Sequence, residues 1–492
     1  MSHQLSALAM RRVLLLAATT GYQTRSFGEA AERLGAELVF ATDRCHLIED
    51  PWQDHAIPIR FYDEDASVAA ILESAAVRPL DGLLVVGDRP TVIGARVAER
   101  LGLPWHPPDA AAAARHKLLT RERLRDAGLP VPWFVAVDLR ADSVGADPRV
   151  PPSQGFGEAR QSAKRDGGRP GPTHGSAPTT LASLSFPCVV KPVALSGSRG
   201  VMRVDDAKGL AAAFARLQAL MRQPEVRAER NEAHATALLE GFIPGREYAL
   251  EGLLHHGTLR ALAIFDKPDP LDGPFFEETI YVTPSSASDD TQRAIVDGVT
   301  RAAQALGLRH GPIHAECRVN PSTASGQVPD VFVLEVAARP IGGLCARALR
   351  FESTIESTID SAIRNPQSIM SLEDLLLRHA LGEAVACQRE RSASGVMMIP
   401  IPKRGILRRV DGVDEAHAVA DVDEIHITAK ADQLLVPLPE GASYLGFIFA
   451  RAERPDHVAR ALRAAHARLV FTIDPEWPVL TPGQIHYNLL HG

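Results

Sequence analysis

From Arg12 to Leu101 short apolar runs take turns with longer mixed stretches. Val13 to Ala18, Glu37 to Ala41 and Gly82 to Val86 have strand length, while Thr24 to Leu34, Ala66 to Ala76 and Thr91 to Leu101 read as helices. This alternation predicts an α/β fold that begins with a small doubly wound parallel sheet. Lys117 opens another helix, KLLTRERLRDAG, which Gly128 and Pro130 close, and Val131 to Val137 follows as a strand. The spacing of Leu210, Phe214, Leu217 and Met221 predicts a helix over Asp206 to Met221, and that of Ile295, Val299, Ala302 and Leu306 a helix over Asp290 to Leu306. Leu250 to Phe265 and Thr279 to Val282 begin a larger sheet. After about Gly382, the segments Val396 to Ile401, Ile406 to Val410, Glu424 to Thr428 and Ser443 to Ala450 read as strands, and Arg454 to Ala467 as a helix.

The same alternation places chemistry on two later strands. In Ile313 to Val319 the residues Ile313, Ala315, Cys317 and Val319 share one face and leave His314, Glu316 and Arg318 on the other. In Val331 to Val336 the phase puts Phe332, Leu334 and Val336 in the core and turns Glu335 away from it. Asn320 to Pro329 is short enough to make the two strands antiparallel neighbours. Glu316 and Glu335 can then converge on a divalent cation, or they are two unrelated acids on a solvated face.

A second candidate site is the stretch FPCVVKPVALSGSRGVMRV from Phe186 to Val204. Val189 and Val190 read as strand, Lys191 ends it, and Pro192 stops regular pairing. Ser196, Gly197, Ser198 and Gly200 let backbone amides approach an oxyanion closely. Such a turn suits a phosphate, although the pair alone is equally an ordinary hairpin. Upstream, Ala141 to Thr180 is rich in Gly, Pro, Ser, Arg and Asp without periodicity, which predicts a disordered insertion.

Composition narrows the class. The 492 residues suggest about three domains, and 45% hydrophobic residues are ample for real cores. A net charge of -7 argues against a nucleic-acid binder. The five cysteines are scattered without paired spacing, which suits reduced thiols in a cytoplasm. Arg11 and Arg12 precede an apolar run too short for a signal peptide, no run spans a bilayer, and G-x-G-x-x-G is absent after the first strand.

These pieces together resemble the ATP-grasp superfamily. The strand lysine with its glycine loop, Leu238 to Ile243, two metal-type glutamates and Arg339 carry the resemblance. FDKPDPLDGPFFEETIYVTPS (265–285), HAECRV (314–319) and LEVAARPIGG (334–343) are similar to the L-amino-acid (dipeptide) ligase branch, bacilysin-type ligases included. The resemblance implies an N-terminal α/β domain over 1–113 that lends a wall to the site, and a lid over 114–244 carrying the 141–180 insertion. It also implies a central catalytic domain over 245–382 and a ligase-associated C-terminal domain over 383–492. ATP and Mg2+, or Mn2+ in its place, are the implied cofactors, with small-molecule carboxylate and amine as partners, neither nucleic acid nor membrane, and a homodimer allowed.

Residue by residue, the resemblance puts Lys117 and Lys191 on the phosphates, Glu240 and the Phe242 backbone at the adenine amino edge, Glu247 at the ribose, and Glu316 and Glu335 on the metal. Arg339 would hold the transferred phosphoryl group or carbonyl oxygen, and Glu278 is the candidate base for the amine. Tyr281 stands where bacilysin-type ligases have His, Gly343 where they have Trp, and Ala337 where many ATP-grasp enzymes have a metal-binding Asn. The expected chemistry is an ATP-dependent carboxylate–amine ligation through an acyl phosphate. The alternatives are a purine-pathway or biotin-carboxylase-like enzyme and a non-catalytic ATP-binding partner or sensor.

Overall fold

In the N-terminal sheet of the computed structural model the strands lie in the order Ile57–Ile59, Glu37–Asp43, Arg12–Leu16, Gly82–Val85, all parallel. The residues described are 10–18, 23–43, 56–140, 184–320, 329–353 and 369–476, so the insertion expected at 141–180 lies outside them. Val13 to Leu16 are completely buried, as a parallel strand covered on both faces requires. Helices Gln23–Leu34, Glu64–Val77 and Thr91–Leu101 complete this unit.

A second sheet pairs Phe134–Asp138, Thr236–Gly241, Cys188–Pro192 and Met202–Val204 in that order, all antiparallel. Helix Ala207–Met221 covers it, and Leu210, Phe214 and Leu217 enter its core as their spacing predicts.

The third sheet has eight strands, in the order Asp330–Ala337, Gly311–Asn320, Arg246–His255, Thr258–Asp266, Ile280–Thr283, Ala393–Ile399, Gly446–Ala452, Val422–Ile427. Every neighbouring pair is antiparallel. Ile280–Thr283 pairs directly with Ala393–Ile399, so strands from both sides of position 382/383 share one continuous sheet. Helix Asp289–Leu306 packs its buried Ile295, Val299, Ala302 and Leu306 on this sheet. Among the described residues no helix is long and apolar enough to cross a membrane.

Three features depart from the sequence reading. Leu250 to Phe265 is a hairpin with a two-residue turn at His256 and Gly257, both at positive φ (49° and 87°), the geometry that matches strand twist. Phe332 and Leu334 do not enter the core; Val333 and Val336 do. The register slips where Glu316 faces Glu335 but Cys317 faces Val333, so Leu334 is a bulged extra residue that reverses the alternation. Finally, Leu372–Ala380 is a helix, started by a capping box in which Ser371 and Asp374 satisfy each other's backbone amides.

Candidate active site

A cleft of about 560 Å³ opens between the N-terminal, four-stranded antiparallel and eight-stranded sheets. The N-terminal unit lends Gly87 and Asp88, the antiparallel four-stranded unit lends Lys191 and Ser196 to Ser198, the eight-stranded sheet lends Glu316 and Glu335, and the loops beside it lend Glu278 and Arg339.

On the lid side, strand pairing sets Val189 opposite Glu240 and Lys191 opposite Leu238, and both charged side chains are buried. Lys191 Nζ meets Glu240 at 2.5 Å, while Arg121 grips the same carboxylate at 2.7 and 3.2 Å and donates to the carbonyls of Val333 and Leu334. Burial pulls the Glu240 carboxyl upward, but Arg121 and Lys191 outweigh it and hold it at about 2. The expectation that Glu240 faces an adenine amino edge therefore meets a carboxylate already engaged by two cations. Its first task is to hold Lys191. Burial, which Glu240 only partly offsets, takes the Lys191 ammonium down to about 8.

Lys117 reaches the same cleft from the start of its helix. Its ammonium donates to the carbonyl of Leu195 at 2.7 Å and pairs with Glu335 at 3.3 Å. The loop beside it holds Gly197 and Ser198 at φ 64° and 54°, two consecutive left-handed positions in a tight turn. Ser196, Gly197 and Ser198 line the cleft. Gly200 does not bring an amide to it: its N–H is spent on the carbonyl of Pro439 at 2.8 Å, and Leu217, Leu220 and Pro192 fill the space a Cβ would need.

Across the cleft lies a carboxylate cluster. Glu316 and Glu335 face each other in register, and oxygens of Glu247, Glu278 and Glu316 all lie within 4.8 Å of one another. Lys267, buried in their midst, contacts Glu247 at 2.7 Å, Glu316 at 3.2 Å and Glu278. Burial alone would lower its ammonium, yet the three carboxylates raise it well above its ordinary value. Cross-strand partners finish the cluster: Arg318 opposite Glu247 donates to it at 3.0 Å, and His314 opposite Glu251 contacts it at 3.1 Å. Glu251 and Glu316 overcome the burial of His314 and raise it to about 9. An all-carboxylate donor set of this kind fits a hard divalent cation.

Glu247, expected at a ribose, has both oxygens taken by Lys267 and Arg318 and belongs to this cluster. The Phe242 N–H donates to the carbonyl of Pro187 at 3.1 Å, so its own carbonyl is the group of that residue suited to a donor such as an adenine amino group. Its ring lies under Arg203 and Arg318, at 4.5 and 5.0 Å from the centroid. Arg339 forks onto Asp88 at 2.8 and 3.0 Å, rather than onto Glu316 or Glu335. Tyr281 is 2% exposed, and its hydroxyl lies 3.4 Å from Glu316.

Gly343 lines the cleft at φ 62°, with the Phe447 ring 3.2 Å from where a Cβ would sit. Any side chain there meets left-handed backbone strain of about 1–2 kcal/mol, so a Trp variant must be read against an Ala variant. Both are expected to lower the melting temperature alike, while Trp alone shifts the ratio of catalytic efficiencies from bulky towards small carboxylates. Equal ratios in the two variants would remove Gly343 from the substrate pocket.

The sequence reading missed Asp88, Arg121, Glu251 and Lys267. A phase count over Arg246–His255 exposes Glu247 and Glu251 on one face, opposite Arg318 and His314. No local signal marks Asp88 or Arg121.

Three family descriptions match the chain: an ATP-grasp N-terminal domain over 28–105, an ATP-grasp domain over 184–348, and the L-amino acid ligase C-terminal domain 2 over 397–474. The ATP-grasp enzyme fsqD of Aspergillus fumigatus is 24% identical over 352 residues, 64% of this chain and 53% of that protein. The alanine–anticapsin ligase of Bacillus subtilis is 27% identical over 175 residues, 33% of this chain and 35% of that one. The chain thus matches about half, or about a third, of these relatives' lengths. The crystal structure of an L-amino acid ligase from Bacillus licheniformis superposes with a TM-score of 0.70 at 25% identity, over 94% of this chain and 99% of that one. Along its length the chain thus carries an ATP-grasp N-terminal domain, an ATP-grasp domain and the C-terminal domain 2 of the L-amino acid ligases, in an architecture similar to that of a solved L-amino acid ligase.

Proposed function

We propose that the chain is an ATP-dependent carboxylate–amine ligase that joins amino-acid-like substrates through an acyl phosphate and releases ADP and phosphate. One observation carries the reading: Lys117, Lys191 and the 196–198 loop converge on the same cleft as the paired carboxylates Glu316 and Glu335. Likeness to an L-amino acid ligase over nearly the whole chain supports it.

A carboxylate oxygen attacks the γ-phosphorus of ATP, and the bond to the β,γ-bridging oxygen breaks. Two anions must approach each other, so the ammonium groups of Lys117 and Lys191 offset the charge that builds on the phosphoryl oxygens. Glu316 and Glu335 would hold a divalent cation, Mg2+ or Mn2+, whose charge screens the phosphates when bound. Arg339, oriented by Asp88, would steady the transferred phosphoryl group or the carbonyl oxygen. The amine then attacks the acyl carbon and phosphate leaves. Burial and Glu316 outweigh Lys267 and raise the Glu278 carboxyl to about 7, a range suited to taking the amine's proton.

Release of ADP and phosphate across a matrix of amino-acid pairs tests the reading. The expected pattern is release that needs both a carboxylate and an amine donor. Bicarbonate-dependent release would move the assignment to a carboxylase-like reaction, and tight ATP binding without turnover for any pair would move it to a sensor.

A further inference from the structure

Away from the cleft, four histidines from three elements gather at one joint. His255 ends the Arg246–His255 strand and His256 opens the hairpin turn after it, His310 directly precedes the Gly311–Asn320 strand, and His379 lies in the last turn of the Leu372–Ala380 helix. Ring nitrogens of His255, His256 and His310 all lie within 4.8 Å of one another. The ring centres are 4.5 Å apart for His255 and His256, 5.0 Å for His256 and His310, and 5.2 Å for His255 and His310. His379 stacks on His310 at 4.3 Å, and its Nε2 lies 3.3 Å from His255 Nδ1.

We propose that His255, His256 and His310 form a binding site for a borderline transition-metal ion of the Zn2+ type, with His379 orienting His255.

Two observations beyond proximity point the same way. His310 is 6% exposed, and its Nδ1 is buried with no hydrogen-bond partner among the described residues, a costly state for a polar atom that a ligand would relieve. The segment presenting His310 is pinned on both sides: the Arg309 N–H donates to His106 Nδ1 at 3.2 Å, which leaves the proton on His106 Nε2 to be donated to the Pro312 carbonyl at 3.2 Å. The Gly257 N–H donates to the Arg309 carbonyl at 2.7 Å and locks the turn to that segment.

The ligand chemistry selects the ion. Imidazole nitrogen suits Zn2+, Cu2+ or Ni2+, whereas the carboxylates of the cleft suit Mg2+, so the two sites discriminate by donor type. His255 and His256 are exposed, which gives an ion a way in. The His255–His379 contact is of the kind that fixes a ligating ring's orientation.

The test uses the full chain without a polyhistidine tag, stripped with chelator and titrated with ZnCl2 in excess Mg2+ to fill the carboxylate cleft. Bound zinc is counted after gel filtration, and melting is followed in parallel. The wild type should retain about one zinc per chain and melt several degrees higher with it. His255→Ala and His256→Asn, both exposed where the strand enters the turn and the latter chosen because Asn tolerates positive φ, should melt like the zinc-free wild type and lose both the zinc and the shift. His310→Gln tests the buried ligand, with stability in chelator as its folding control. A wild type that retains no zinc, or turn variants that retain as much as the wild type, would overturn the proposal.

Discussion

Replacing Lys267 by Met is expected to destabilise the chain by about 3–5 kcal/mol, the usual cost of leaving buried charge uncompensated. Lys267 is 2% exposed at its side chain and serves Glu247, Glu278 and Glu316 together. Without it, Glu247 keeps Arg318 and Glu316 keeps His314, but Glu278 retains no cation within ion-pair reach among the described residues. The loss should depend on pH. In the wild type the folded Glu278 carboxyl titrates near 7 against 4.5 for an unperturbed glutamate, so the folded chain holds a proton that the unfolded chain has lost, and this group costs stability as pH rises from about 4.5 to 7. Removing Lys267 raises the folded value further and extends that window upward. Denaturant unfolding at pH 6 and pH 8 should therefore show the larger deficit at pH 8, with partial recovery in millimolar Mg2+, which binds the freed carboxylates. A variant as stable as the wild type at pH 8 would show that Lys267 does not hold the cluster together.

Lys191→Met is expected to cost about a hundredfold to a thousandfold in kcat/KM for ATP, as removal of one well-placed donor to a developing charge does. Folding should survive, because Arg121 keeps its two contacts to Glu240 after Lys191 is gone. The wild type should also lose kcat/KM for ATP as pH rises through about 8, where the buried ammonium of the free enzyme gives up its charge. Lys191→Arg keeps the charge at higher pH and should move that fall upward, although its fork fits the Glu240 site differently. Near-normal turnover in Lys191→Met, with an unchanged pH profile, would take Lys191 out of the phosphate site.

How much of this was legible in the sequence follows from the range of each interaction. Glu316 and Glu335 could be placed together because a period of two fixes faces and a short loop fixes antiparallel pairing. The bulge at Leu334 was not legible: Val331 to Leu334 are all apolar, so either phase leaves a hydrophobic residue facing the core. Glu335 nevertheless keeps the direction that alternation gave it. Arg339 was read for its fork, but its partner Asp88 is 251 positions away, in the turn after a strand of another sheet, and no local pattern encodes that docking. Glu240 sits in the otherwise apolar LLEGF, which shows that a carboxylate is buried there without showing that Arg121 and Lys191 share it. Lys267 lay within a stretch that carried the family resemblance, but its three carboxylates come from two strands and a loop. The Leu372–Ala380 helix was not predicted, although Ser371 and Asp374 ahead of three leucines carry its start signal.

The central claim is that a substrate carboxylate becomes an acyl phosphate before the amine attacks, and the oxygen atoms report it directly. An accepted carboxylate substrate labelled with 18O at both oxygens is turned over with ATP and an amine, and the released phosphate is weighed by mass spectrometry. Attack on the γ-phosphorus, followed by loss of phosphate from the acyl carbon, transfers one labelled oxygen to each phosphate and leaves the other in the amide. Phosphate carrying one 18O is the predicted result; unlabelled phosphate, with amide still formed, would contradict the account.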